Sequence, residues 1–353
     1  MTVQKTAGRT VADASVPHNY PLAIRDSGLS SSIGLVLGTL PYALMRFATL
    51  FAFSGACIVW IVVMIGGSVW LSSHIAGAFG AVWFICCLLV AGWFWTAILR
   101  YVLHLIECGH VAVLTELIVY GKVGNGTESM FAYGKRIVTE RFAQVNVLFA
   151  MNVLVRGVVN AVHRMLEGIG SMLPVPGLET IANVLTAVLR AATRYMDKVI
   201  FSYTLACNTP NPWQGSRDGV VYYAQNAKPI LKTSVWIVIC EHVLSLFLWL
   251  LLLAPAAMLT AMLPHSVRQM GGVITAIIAI LCALAARAAF VKPIFLVMIM
   301  VRFHALIEHQ AINQDWVTRL DQLSDKFRNL GNKAQNYVGT PAAPAAGSNV
   351  PVA

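Results

Sequence analysis

Charge is what this sequence has least of. Asp, Glu, Lys and Arg make up 11% of its 353 residues, against about 25% in a soluble globular domain, which excludes an ordinary water-facing surface. The signatures of soluble catalysis are also missing. There is no Walker loop after a strand, no Gly-x-Ser-x-Gly elbow, no His-Glu-x-x-His pair and no dinucleotide fingerprint. The residues therefore predict neither an enzyme nor a bound cofactor. Seven cysteines form an odd set without framework spacing, most of them inside apolar stretches where Cys acts as a small hydrophobe. No disulfide is called for, and no apolar core directly follows a basic start as a cleavable signal peptide requires.

What the sequence has in excess is uncharged length. Hydrophobic residues reach 58% and mean hydropathy is +0.71. The run from Phe47 to Ser73 carries no charge, and at about 1.5 Å per residue it exceeds the roughly 30 Å of bilayer hydrocarbon. A second run, Ile75 to Leu99, follows after a short turn to form a helical hairpin. Val243 to Pro264, entering near Thr233, and Gly271 to Phe290 make two more spans. Apolar character continues past Lys292-Pro293 to Val301, so the last helix is expected to kink, tilt or turn at the proline.

The centre of the chain reads differently. Asn146–Leu173 and Leu178–Ala206 are long enough to cross but carry Arg156, His163, Arg164 and Glu167 in one and Arg190, Arg194 and Asp197 in the other. A charge at mid-bilayer costs about 2.5–3.5 kcal/mol on the insertion scale, so such helices must face protein, water or the interface. Crossing as a hairpin that turns at Pro174–Gly177 gives six spans; lying flat gives four. The net charge of +10 would suggest nucleic acid in a soluble chain. Here Lys122, Lys135, Arg136, Arg141, Lys228 and Lys232 flank apolar runs instead, and the positive-inside rule places them and both termini in the cytosol. Asn125-Gly126-Thr127 matches a glycosylation acceptor but then faces the cytosol, where it reads as a turn.

The expected fold is an all-α polytopic membrane helix bundle with about six spans. Residues 1–32 form a flexible cytosolic arm and 33–310 the transmembrane domain. Asp315–Val338 spaces Trp316, Leu320, Leu323 and Phe327 as on an amphipathic helix, within a segment 311–338 that could recruit a cytosolic protein. Residues 339–353 form a low-complexity tail.

Three sets of residues could carry chemistry. Arg156, His163 and Glu167 fall at spacings of seven and four, stacked on one helix face. With Arg164, Arg190, Arg194 and Asp197 they could line a passage for a polar solute, or else lie against lipid phosphates. Glu241 and His242 sit within a span, a carboxylate next to an imidazole, and suit a proton or cation site; Glu241 could equally pair with Arg287. His104, Glu107 and His110, with Glu-x-x-His spacing, form a weak metal set to which His304, Glu308 and His309 could add, although the second Glu-x-x-His of carboxylate-bridged metal bundles is absent.

Arg194-Tyr195-Met196-Asp197, the aromatic step Phe201/Tyr203, Ser216-Arg217-Asp218-Gly219 opening an amphipathic helix, and Glu241 early in an apolar span follow one another in order. Over about Arg190 to Gln310 this order resembles the C-terminal membrane part of the choline transporter-like family. The resemblance implies a multi-spanning carrier for choline, ethanolamine or a similar organic cation, and no binding residue is carried over from it. The reading is thus a multi-pass carrier or channel-like protein for a small polar or amphiphilic solute, in a plasma membrane or bacterial inner membrane. Its partners are the lipid bilayer and a small-molecule solute, with a homo-oligomer open and no nucleic acid. The rival is a non-transporting scaffold that recruits a cytosolic partner through its C-terminal helix. If the central pair crosses, single cysteines at Pro174–Gly177 in a cysteine-free background will react with an impermeant maleimide added outside intact cells; protection at every position there leaves four spans.

Overall fold

The computed structural model describes residues 20–94, 99–126, 128–142, 188, 190–209 and 211–337. Arg156, His163, Arg164, Glu167 and the Pro174–Gly177 bend lie outside these residues, as does the tail. Every regular element among the described residues is helical, as expected. Among the same residues, five helices are long and apolar enough to cross a membrane, which makes this a multi-pass membrane protein. The chain divides into two units, an apolar one (23–139 and 232–302) and a smaller one built from three separate stretches, 1–22, 140–231 and 303–353.

The apolar unit opens with α1 (Leu29–Gly38) and α2 (Leu40–His74). Pro41 in the first turn of α2 has no N–H to give, which suits the start of a new helix at this junction. At the junction, the Thr39 hydroxyl reaches the Leu35 carbonyl at 3.0 Å. α2 then pairs with α3 (Gly77–Phe94) as the expected hairpin. The two backbones approach because Gly80 has no side chain: a Cβ there would lie 2.5 Å from the Ser68 carbonyl oxygen. Ser68 Oγ donates to the Gly80 carbonyl at 2.9 Å, and Trp60 Nε1 to that of Cys87 at 3.2 Å. Small residues and interhelical hydrogen bonds of this kind hold helices together where lipid offers no hydrophobic drive.

α4 (Arg100–Tyr120) ends on Gly121, whose φ of 75° lets its N–H return to the Leu117 carbonyl at 2.9 Å. The Ala23 and Ile24 amides bond the Ile118 carbonyl at 3.0 and 3.1 Å and cover that exposed helix end. The expected free arm is therefore anchored from this point onward. The segment Tyr101–Tyr120 is itself long and apolar enough to cross, a candidate that the uncharged-run reading passed over because Glu107, Glu116 and two histidines interrupt it. A glycine-rich turn (124–126, with positive φ at Gly124 and Gly126) leads into α5 (Met130–Phe142). Tyr42 fills the slot where Gly109 and Gly134 lack side chains, and its hydroxyl donates to the Met130 carbonyl at 3.3 Å.

In the smaller unit, α6 (Met196–Ala206) packs on α7 (Pro212–Gln225). The expected helix over 178–206 is thus interrupted at Tyr195 within its described part. Asn211 caps α7 by accepting from the Trp213 and Gln214 amides at 3.1 and 3.3 Å.

The long helices resume with α8 (Ala227–Met262) and α9 (His265–Ala286), which form the second long hairpin, followed by a π-turn at Arg287–Val291 and α10 (Lys292–Ile307). The anticipated irregularity near Pro293 is this π-turn. Proline cannot donate to the carbonyl four residues back and its ring crowds it. Widening the preceding turn, so that Lys292 N–H bonds the Arg287 carbonyl five residues back, relieves that crowding without breaking the helix.

Tyr203, Tyr222, Phe303 and Phe327 are fully buried in the smaller unit. The amphipathic C-terminal segment is two helices, α11 (Gln314–Leu323) and α12 (Asp325–Gln335), because Ser324 adopts an extended conformation and caps α12 through the Phe327 amide. Leu320, Phe327 and Leu330 are buried, with α7 packed against both helices. Gly80→Ala is expected to lower the thermal midpoint of the purified protein, at a cost of roughly 1–3 kcal/mol for overpacking. Gly77→Ala, with nothing within 4 Å of the new Cβ, serves as the neutral control.

Candidate functional site at the buried face of α8

α8 has two unlike sides. Outward lie Trp236, Ile239, Val243, Leu246, Phe247 and Leu250, all exposed as lipid-facing residues are. Inward lie Ser234, Ile237, Glu241 and Ser245, all buried. The polar members are seven and four residues apart, which is the spacing of one helix face. Glu241 is 2% exposed, and its Oε1 receives Nη2 of Arg287 at 3.0 Å. Arg287 opens the π-turn, a local geometry that recurs at functional positions. Its Nε is buried without a hydrogen-bond partner, and so is the Ser245 hydroxyl. A carboxylate this deeply enclosed requires an ionic or hydrogen-bonding partner.

A second set of polar contacts joins α2 and α4 in the same unit. Arg46 Nη2 meets Glu107 Oε1 at 2.5 Å, and the Thr39 hydroxyl meets His110 Nε2 at 2.9 Å. The Tyr42 ring stacks on His110 with centroids 5.3 Å apart. Phe47, next to Arg46, meets Phe290 of the π-turn with centroids 5.8 Å apart, so the two ion pairs belong to neighbouring parts of one packed region.

In the smaller unit the buried His304 is bridged on both ring nitrogens, by Tyr20 Oη at 2.7 Å and Ser202 Oγ at 2.8 Å. Burial, with Cys207, Tyr222 and Glu308 adding to it, pushes the Tyr20 phenol well above its ordinary range, so the bridge is made by a neutral hydroxyl. Arg217 sits between Asp321 at 3.3 Å and the Phe327 ring at 5.2 Å, holding the C-terminal helices to α7.

Of the residues singled out in the sequence, Glu241 pairs with Arg287, one of the two readings allowed. His242, its neighbour in sequence, is exposed on the other side of α8, and its Nδ1 bonds the Val238 carbonyl at 2.6 Å. Adjacent positions on a helix point about 100° apart, which separates the supposed carboxylate–imidazole pair. Arg190 and Arg194 are exposed, and Asp197 lies 3.7 Å from Lys198. The weak metal set is dispersed: His104 approaches Cys108, Glu107 takes Arg46, and His110 takes Thr39. Among the described residues no group of three or more His, Cys, Asp or Glu is placed to hold a metal ion. Ser234, Ser245 and Arg46 were not singled out, although the spacing of Ser234, Glu241 and Ser245 was available as a signal.

No protein-family model, curated protein or solved structure matches the chain. Arg287→Gln removes the ion-pair partner of a buried carboxylate and is expected to lower the thermal midpoint, whereas Glu241→Gln/Arg287→Gln together should recover part of that loss. Thermal midpoints of the two singles and the double in the same detergent measure the coupling.

Proposed function

We propose that this protein moves a small polar or amphiphilic solute across the bilayer, and that the Glu241–Arg287 pair on the buried face of α8 is the point where the solute engages it. The observation that carries the reading is a buried carboxylate on a membrane-crossing helix, paired with a partly exposed guanidinium at a π-turn and one helical turn from an unsatisfied hydroxyl. Such groups are costly to bury and are found where solutes, ions or protons pass. An organic cation, the class implied by the family resemblance, is one candidate solute. The plasma membrane or a bacterial inner membrane is the setting that fits the distribution of basic residues. The scaffold reading has less support, since Leu320, Phe327 and Leu330 turn the apolar face of the C-terminal helices toward the protein's own interior.

Proteoliposome uptake tests this with a panel of radiolabelled choline, ethanolamine, glycine, betaine and acetate. At least one should accumulate faster than in empty vesicles, and Glu241→Gln should reduce that uptake about tenfold or more while the protein stays monodisperse. Uptake that ignores Glu241, or no uptake of any of the five, counts against transport through this site.

A further inference from the structure

We infer that the described residues cross the bilayer four times, through α2, α3, α8 and α9, and that α4 and α10, apolar as they are, form the core of a head outside the hydrocarbon, on the side away from the two hairpin turns. The inference concerns the apolar unit alone and holds whichever solute is carried.

The register of the first hairpin is the starting point. Down α3 and then α4, the partners recede steadily toward the N-terminus. Gly80 takes Ser68, Cys87 takes Trp60, and Phe94 stacks on Phe53 with centroids 5.4 Å apart. Glu107 then meets Arg46, His110 meets Thr39, and Ile118 meets Ala23. α4 therefore continues the path of α3 instead of turning back into the membrane beside it. α2 alone holds 35 residues, about 52 Å at about 1.5 Å per residue, whereas the hydrocarbon is roughly 30 Å thick. A stack of this height cannot lie wholly in lipid, and the uncharged run Phe47–Ser73 takes the bilayer. His110 faces Thr39, which precedes α2, so the rest of α4 stands outside.

Burial agrees with the register. No residue of α2 after Ala43 is buried, and in α3 only Gly80 and Cys87 are, as lipid-facing helices require. In α4 every residue from Cys108 to Thr115 is buried. That stretch winds more than twice round the helix, so protein covers all of its sides and none is left for lipid.

The second hairpin repeats the design. Gly272 meets Thr260 across its turn as Gly80 meets Ser72, each glycine leaving room that a Cβ would fill. α9 descends to the π-turn, and below it every residue from Phe295 to Val301 is buried. Phe47 meets Phe290, which lies about 38 Å along the helix from His265, while Phe47 lies about 40 Å from His74. Both turns thus stand at one height on one side. Close to the turns the Lys and Arg residues amount to Arg268, against Arg46, Lys122, Lys135, Arg136 and Lys232 at the other end, the bias that the positive-inside rule describes. The hydrocarbon then ends near the level of Phe47 and Phe290, and the Arg287 side chain, 33% exposed, reaches toward the headgroups from there.

The test compares sealed cells with inside-out vesicles, both holding the full-length protein with one cysteine in a cysteine-free background, and reads modification by an impermeant maleimide. Ile75→Cys and His265→Cys, both at exposed positions, should react together in one preparation. Lys122→Cys and Lys135→Cys, exposed as well, should react in the other, each about tenfold or more above its level in the first. The unaltered protein gives a second reading, since an impermeant lysine-reactive ester followed by peptide mass spectrometry should acylate Lys122, Lys135 and Lys232 in that same other preparation. Reaction of Lys122 on the side of Ile75 makes α4 a fifth crossing and overturns the inference, as does finding Ile75 and His265 on opposite sides. Silence at Lys122 and Lys135 in both preparations places them in lipid and overturns it equally.

Discussion

A carboxylate and a guanidinium held 3.0 Å apart among apolar helices constrain the whole of the apolar unit. Neither charge tolerates hydrocarbon alone, so α8 and the turn at Arg287 must be kept in contact, and the face of α8 that carries Glu241 must be turned inward. The inward rotation of one residue fixes the rest of that helix. Ser234, Ile237 and Ser245 follow Glu241 to the interior, while Trp236, Val243 and Phe247 are carried out toward lipid.

The same logic governs the packing elsewhere in the unit. With apolar surface on every side, burial of hydrocarbon gives little preference for one helix contact over another, and directional bonds take over. Ser68 and Trp60 bond carbonyls of α3, and Thr39 bonds His110 of α4. Glycines at positions 80, 109 and 134 let the backbones or the Tyr42 ring come close enough for such contacts. The smaller unit, with a mixed surface, relies on aromatic and aliphatic burial around Tyr203, Phe303 and Phe327 instead.

Helix content, the first long hairpin and the two later spans were legible in the sequence, because uncharged runs of sufficient length leave no other structure that satisfies their backbone. α4 was harder to recognise. Its charges are spent on Arg46 and on Tyr133, which donates to Glu116 at 2.8 Å, and pairing of that kind is invisible until the partner helix is placed. Within the candidate site, Glu241 and its alternative partner Arg287 could be named beforehand, since both interrupt apolar runs. The separation of His242 from Glu241 follows from helix geometry and was available, as was the serine spacing on α8. The π-turn was foreseen only as some accommodation near Pro293, because several geometries relieve the same steric conflict and sequence does not rank them. The break at Ser324 was missed: its side chain bonds the Phe327 amide, a local bond of the kind that competes with continuous helix.

The bridge from Tyr20 through His304 to Ser202 joins residues separated by as many as 284 positions. A core drawn from the beginning, middle and end of the polypeptide cannot close while the ribosome is still making its final third. The hydrophobic hairpins, local in sequence, are free to enter the bilayer as they emerge. Biogenesis thus acquires an order: insertion first, then docking of early and late segments around an imidazole that arrives near the end. A nascent chain halted before His304 would present the aromatic residues of this core to chaperones and proteases.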